Sequence, residues 1–219
     1  MKRLLFFVCL ILTLPAMAAK NRKVKIITPY GTMVIELYNA TPKHRDNFIK
    51  LARHHFYDST LFHRVIKGFM IQGGDPDSKH AVKGAMLGNG DVNYTIPAEF
   101  QLNLFHKKGA LAAARDNNPA KASSGCQFYI VQGKVWTDEE LDKLEQGRLG
   151  GRKIPVDQRE YYKKYGGTPQ LDQSYTVFGQ VVEGMDVIDK IAGMKTDGND
   201  RPLEDVAMKI RVVKKFLFF

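Results

Sequence analysis

Apolar and polar residues alternate over residues 24–27 and again over 31–38, on either side of Pro29, Tyr30 and Gly31. A period of two sets one face of a strand against a core, and the Pro-Tyr-Gly segment supplies a turn, so these runs predict a β-hairpin. At Thr41 the period changes. Phe48, Leu51 and Ala52 fall on one face at helical spacing, with Thr41 placed as the N-cap and Pro42 in the first turn. The helical pattern fades at His54 and His55. Short β-prone runs follow at 61–66, 69–72, 109–114, 127–131 and 176–182, divided by turns containing Gly and Asp. Val187, Ile188 and Ile191 carry a second helical pattern over 186–192, and alternation over 206–213 ends the series with a last strand. Eight short strands and two isolated helices predict a mainly β domain: a closed antiparallel eight-stranded barrel capped by two α-helices, one at each open end.

One segment breaks this rhythm. Residues 134–170 are charged and helical in character. Thr137 and Glu140 form a capping box at the start of one helix, and Pro155 opens a second that ends at Gly166 and Gly167. The segment reads as a helical insertion in one loop of a single domain over 19–219, too short and too polar to hold a core of its own. Trp136, at its start, is expected to pack on the barrel.

The N-terminus has a different composition. Lys2 and Arg3 precede an apolar run over 4–14, Pro15 breaks it, and Ala16 and Ala18 offer small residues for cleavage. That order predicts a signal peptide over 1–18 and export, to the periplasm or beyond it. The apolar run is short for an uncut membrane anchor. Cys9 follows bulky Val8, unlike a lipidated cysteine. Loss of the leader removes one of the two cysteines and leaves Cys126 alone, which excludes an internal disulfide. It also lowers the formal net charge of +10 by two. The remaining basic residues are spread along the chain with no aromatic-basic platform, so the charge reads as a solvated surface rather than a nucleic-acid site.

The run FHRVIKGFMIQGGD at 62–75 holds the candidate chemistry. It reads as two strands joined by a tight turn at Lys67 and Gly68. Alternation puts Phe62, Arg64 and Ile66 on one face, Phe69 and Ile71 on one face of the next strand, and Met70 and Gln72 on its other. An arginine among barrel residues needs a partner. From pattern alone Arg64 is either paired to an acidic residue at the rim or functional. The run closely resembles the signature of cyclophilins, the peptidyl-prolyl cis-trans isomerases. GALAAAR at 109–115 with SGCQFYI at 124–130 resembles the family's other core segment, and GNG at 88–90, IPAEF at 96–100 and VFGQVVEG at 177–184 match in order.

The resemblance implies a cofactor-free, metal-free rotamase acting on proline-containing peptides and folding proteins, a monomer by default for this architecture. It implies catalytic roles for Arg64, Phe69 and Gln72, and substrate contacts from Met70, Ala114, Arg115, Gln127, Phe128, Tyr129, Leu171 and Tyr175, with the backbone at Ala114 and Arg115 pairing to an extended peptide. Tyr129, Arg115 and Tyr175 depart from the phenylalanine, asparagine and histidine of the best-known eukaryotic members. Gln170 falls where those members carry a tryptophan, which argues against tight cyclosporin binding. Other readings are weaker. His54, His55 and His63 lack a carboxylate at metal-ligand spacing. Asp75 and Asp77 lack the rest of a calcium loop. Cys126 has no evident base. A module that binds proline segments without isomerising them is the competing function.

Overall fold

The computed structural model describes residues 21–213; the leader expected at 1–18 and the apolar tail at 216–219 lie outside the described residues. The predicted hairpin forms from β1 (Arg22–Thr28) and β2 (Gly31–Leu37), paired from Arg22 opposite Leu37 to Thr28 opposite Gly31. Helix α1 (Pro42–Arg53) follows, then β3 (Phe62–Ile66), β4 (Met70–Gly73), short β5 (Thr95–Ile96), β6 (Ala110–Ala113), short β7 (Ser123–Ser124) and β8 (Phe128–Val131). The insertion carries α2 (Asp138–Gln146) and α3 (Val156–Tyr165), and the chain closes with β9 (Val177–Glu183), α4 (Met185–Ala192) and β10 (Lys209–Val212).

Eight strands join in one antiparallel sheet, in the order β10-β1-β2-β9-β6-β8-β4-β3. The sheet curls into an open half-barrel, not the closed barrel expected. Its edge strands β3 and β10 share no ladder. The gap is crossed by the isolated bridge Leu61–Ala207 and by single backbone bonds such as Phe62 N–H to Val206 O at 2.9 Å. The reason is local: Ser59 and Asp200 have φ of 65° and 62°, left-handed conformations that no strand continues.

Alternation sorts the side chains. In β8, Phe128 and Ile130 enter the concave core with Leu111 and Ala113 of β6, whereas Tyr129 and Val131 join Ala110 and Ala112 in a second cluster on the outer face. Helices α1 and α4 bury Phe48, Leu51, Ile188 and Ile191 against the concave side.

Thr41 occupies the N-cap position of α1 but makes no side-chain capping bond. The Glu99 carboxylate does that work from a distant loop, accepting from Lys43 N–H at 3.1 Å and His44 N–H at 3.0 Å. It also meets His44 Nδ1 at 2.7 Å, while His44 Nε2 lies 3.0 Å from Ser123 Oγ. This serine-histidine-carboxylate series is buried structural wiring, since Ser123 is 1% exposed and does not line the cleft described below.

The capping box of Thr137 and Glu140 closes in both directions, and α3 stops at Gly166. The insertion departs from expectation in holding a small core: Leu141, Ile154 and Tyr162 are buried together. Phe105 from outside the segment and Trp136 complete that cluster, which is how so short a piece excludes water.

Candidate active site

The site begins as a row across the outer face of the sheet. Arg64 of β3 is paired with Gln72 of β4, Gln72 with Tyr129 of β8, Tyr129 with Ala112 of β6, and Ala112 with Val177 of β9. Directly opposed residues of neighbouring strands bring their side chains to within about 5 Å at Cβ, so one row aligns a cation, an amide and a phenol. A register shift between Phe62 and Arg64 makes this possible. Phe62 does not share the face of Arg64 and Ile66 as strict alternation predicts; the irregularity turns it into the core and leaves Arg64 outside.

The row opens on a cleft of about 440 Å³ lined by Arg64, Phe69, Met70, Gln72, Ala114, Arg115, Tyr129, Leu171 and Tyr175. Met70 and Gln72 face it from alternate positions of β4, and Phe69 joins them from the turn before the strand. Two expected residues are placed otherwise. Phe128 does not reach the cleft: it is 1% exposed and packs edge-on to Phe48, Tyr57 and Phe62, because neighbours in a strand face opposite ways. Gln127 lines a smaller adjoining recess, and its amide is engaged within the protein. It donates to Gly88 O and Gly90 O, both at 2.8 Å, and accepts from Gln72 Nε2 at 3.1 Å, which fixes how Gln72 points. The Ala114 N–H and C=O bond Gln127 O and Ser124 N–H, so an extended peptide would have to pair with the backbone at Arg115.

Arg64 is about half exposed, with its Nε 3.4 Å from Asp200 Oδ2. The rim pairing that pattern alone left open is therefore present, on a residue that also faces the cleft. Arg115 donates from Nε to Ser174 O at 2.9 Å and lies over the Tyr175 ring at 4.6 Å. Tyr175 meets Tyr129 edge-on at 5.9 Å. Burial pushes the Tyr129 phenol well above its ordinary pKa, so it stays a neutral donor.

The family model for the cyclophilin type peptidyl-prolyl cis-trans isomerase matches residues 23–213. The chain belongs to the cyclophilin family. It is 39% identical over 188 residues to a Staphylococcus aureus (strain USA300) protein named as a peptidyl-prolyl cis-trans isomerase, covering 85% of this chain and 89% of that one. A Staphylococcus epidermidis protein of the same name is 37% identical over 193 residues, covering 87% and 91%. A crystal structure of a Cryptosporidium parvum cyclophilin type peptidyl-prolyl cis-trans isomerase superposes with a TM-score of 0.64 at 26% identity, over 89% of this chain and 99% of that one. The same protein solved in the presence of the dipeptide Ala-Pro gives 0.62. The chain is thus a peptidyl-prolyl cis-trans isomerase.

Sequence reasoning missed several residues of this cyclophilin's cleft. His63, Met86 and Asp200 line it. His63 is adjacent to Arg64, so only the register shift places both at the same cleft. Asp200 comes from a loop with no periodic signal. Asp75, weighed as a calcium ligand, is instead a buried brace: its carboxylate accepts from Asp77 N–H and Gly88 N–H, holding the loop that Gln127 also grips. Trp136 donates from its indole to Gly167 O and packs within the insertion.

Proposed function

We propose that this cyclophilin speeds rotation about X–Pro bonds in exported proteins as they fold, without a cofactor, by stabilising the half-rotated amide with Arg64. The barrier to that rotation is about 20 kcal/mol, because amide resonance is lost at the midpoint. No bond is made or broken, so catalysis consists in binding the twisted amide better than either planar form. Twisting localises a lone pair on the prolyl nitrogen. A guanidinium N–H held beside it donates to that lone pair, and to a planar amide nitrogen it has little to donate to.

The observation that carries this reading is the outward row Arg64–Gln72–Tyr129 beside the apolar walls Phe69, Met70 and Leu171. The walls suit a proline ring, and the Gln72 amide, held by Gln127, suits the substrate backbone. The Ala-Pro dipeptide present with the Cryptosporidium parvum relative supports a proline ligand for this cleft. The leader over 1–18 supports export, with a mature protein beginning at Ala19 as the outcome that N-terminal sequencing of the exported fraction checks.

A proline-peptide isomerisation assay tests the function. The wild type is expected to be active, and Arg64→Ala to lose about 100-fold in kcat/KM, the usual cost of one preorganised donor. An inactive wild type that still binds proline peptides favours the binding module.

A further inference from the structure

A continuous chain of buried polar groups runs from the insertion to the proline pocket. Tyr162 of α3 donates its hydroxyl to Asp172 Oδ2 at 2.7 Å. The other carboxylate oxygen, Oδ1, accepts from His106 N–H and meets His106 Nδ1, both at 2.8 Å. His106 Nε2 lies 3.0 Å from the Tyr129 hydroxyl, and the two rings stack at 6.0 Å. Tyr162 is 0%, His106 1%, and Asp172 and Tyr129 4% exposed, so no solvent can stand in for a missing partner.

Two physical points set this chain apart from ordinary packing. A phenylalanine would fill the wall at 129 as well as a tyrosine does, whereas four buried polar side chains are costly unless each is satisfied. Here they are satisfied in series. The carboxylate is the only pure acceptor of the run, so Tyr162 and the His106 Nδ1 side converge on Asp172, and His106 Nε2 carries the series on to the Tyr129 hydroxyl. Arg152 of the insertion also donates to Asp172 O at 3.1 Å, a second hold of the insertion on the same residue.

We infer that Tyr162 and Asp172 are positioning residues of the isomerase: through His106 they fix the Tyr129 ring, so that the insertion shapes the pocket for proline. This rests on the isomerase site proposed above. The insertion is then a working part of the pocket, braced from behind.

Kinetics of a double-mutant cycle test it, using Tyr162→Phe, Tyr129→Phe and the double variant with a proline tetrapeptide. Tyr162→Phe is expected to lower kcat/KM three- to tenfold, mostly through KM, because a displaced wall weakens the grip on planar and twisted forms alike. In the Tyr129→Phe background the same substitution is expected to change kcat/KM less than twofold. Equal losses in both backgrounds, or no loss with Tyr129 intact, overturn the inference. An inactive wild type overturns the reading of the site and the inference with it. Should Tyr162→Phe fail to fold, the wild type answers the question: saturation with the peptide is expected to shift the His106 ring nitrogen resonances, and unmoved resonances overturn the inference.

Discussion

Arg64 has two neighbours of opposite consequence. On one side it lines the cleft beside Gln72; on the other, Nε is 3.4 Å from Asp200 Oδ2. Both partners are exposed enough that the pair adds little to stability, about 0–1 kcal/mol. Its contribution is orientation, since a long side chain left free must be ordered again when substrate binds. Losing that restraint costs about 0.5–1.5 kcal/mol, or roughly 2- to 10-fold in kcat/KM. Asp200→Asn is therefore expected to lower kcat/KM by that factor while the melting temperature stays within a degree or two; unchanged kinetics would show Asp200 to be a bystander. At this scale the sequence revealed Arg64, Met70 and Gln72 through their motif. It misplaced Phe128, which alternation with Tyr129 turns inward, and did not reveal the internal bonds that Gln127 makes from the adjoining recess. Phe128 and Tyr129 are neighbours in one strand, so only one of them can face the cleft.

At the level of elements, the strongest local signals formed as read: the hairpin around Tyr30, both helices against the sheet, and the capping box of α2. Non-local features stayed hidden. The Thr41 signal for α1 was sound in position, yet the bonds go to Glu99, 56 residues away from Lys43, and nothing in a periodic pattern reports such a pairing. Removing that carboxylate leaves two helix N–H groups and the buried His44 ring without their acceptor. Glu99→Ala is thus expected to cost about 1–3 kcal/mol, seen as a lower midpoint in urea unfolding. A midpoint identical to wild type would assign the cap to another group. The open edge between β3 and β10 escaped notice for a similar reason, because left-handed residues at Ser59 and Asp200 carry no signal in hydrophobic periodicity. The insertion's small core was invisible because Phe105, one of its members, lies outside the segment.

Across the whole molecule, the buried titratable groups set the response to pH. Burial lowers the pKa of both His44 and His63 below the ordinary 6.5, for His44 against the opposing pull of Glu99 and for His63 against that of Asp75. The folded protein therefore resists protonation that the unfolded chain accepts. Stability is fully present above about pH 6.5 and falls as the pH drops below it, by at most about 1.4 kcal/mol per pH unit for each histidine. Melting temperatures recorded between pH 7.5 and 5.5 are expected to decline, and His63→Asn to flatten the decline. A rise in melting temperature toward pH 5.5 would contradict this. Cys126, the one cysteine among the described residues, does not complicate such experiments: burial pushes its thiol up to about 12, so it stays protonated.

All three scales meet at one guanidinium, and the direct test separates binding from rotation. Exchange measurements on a proline peptide saturating the protein give the cis–trans rate of the bound peptide, and a titration of the same samples gives its affinity. With Arg64→Ala the bound rate is expected to fall about 100-fold while the affinity changes by no more than a few-fold, the mark of a donor that acts on the twisted amide. A bound rate like that of wild type, or a loss confined to affinity, would contradict the account.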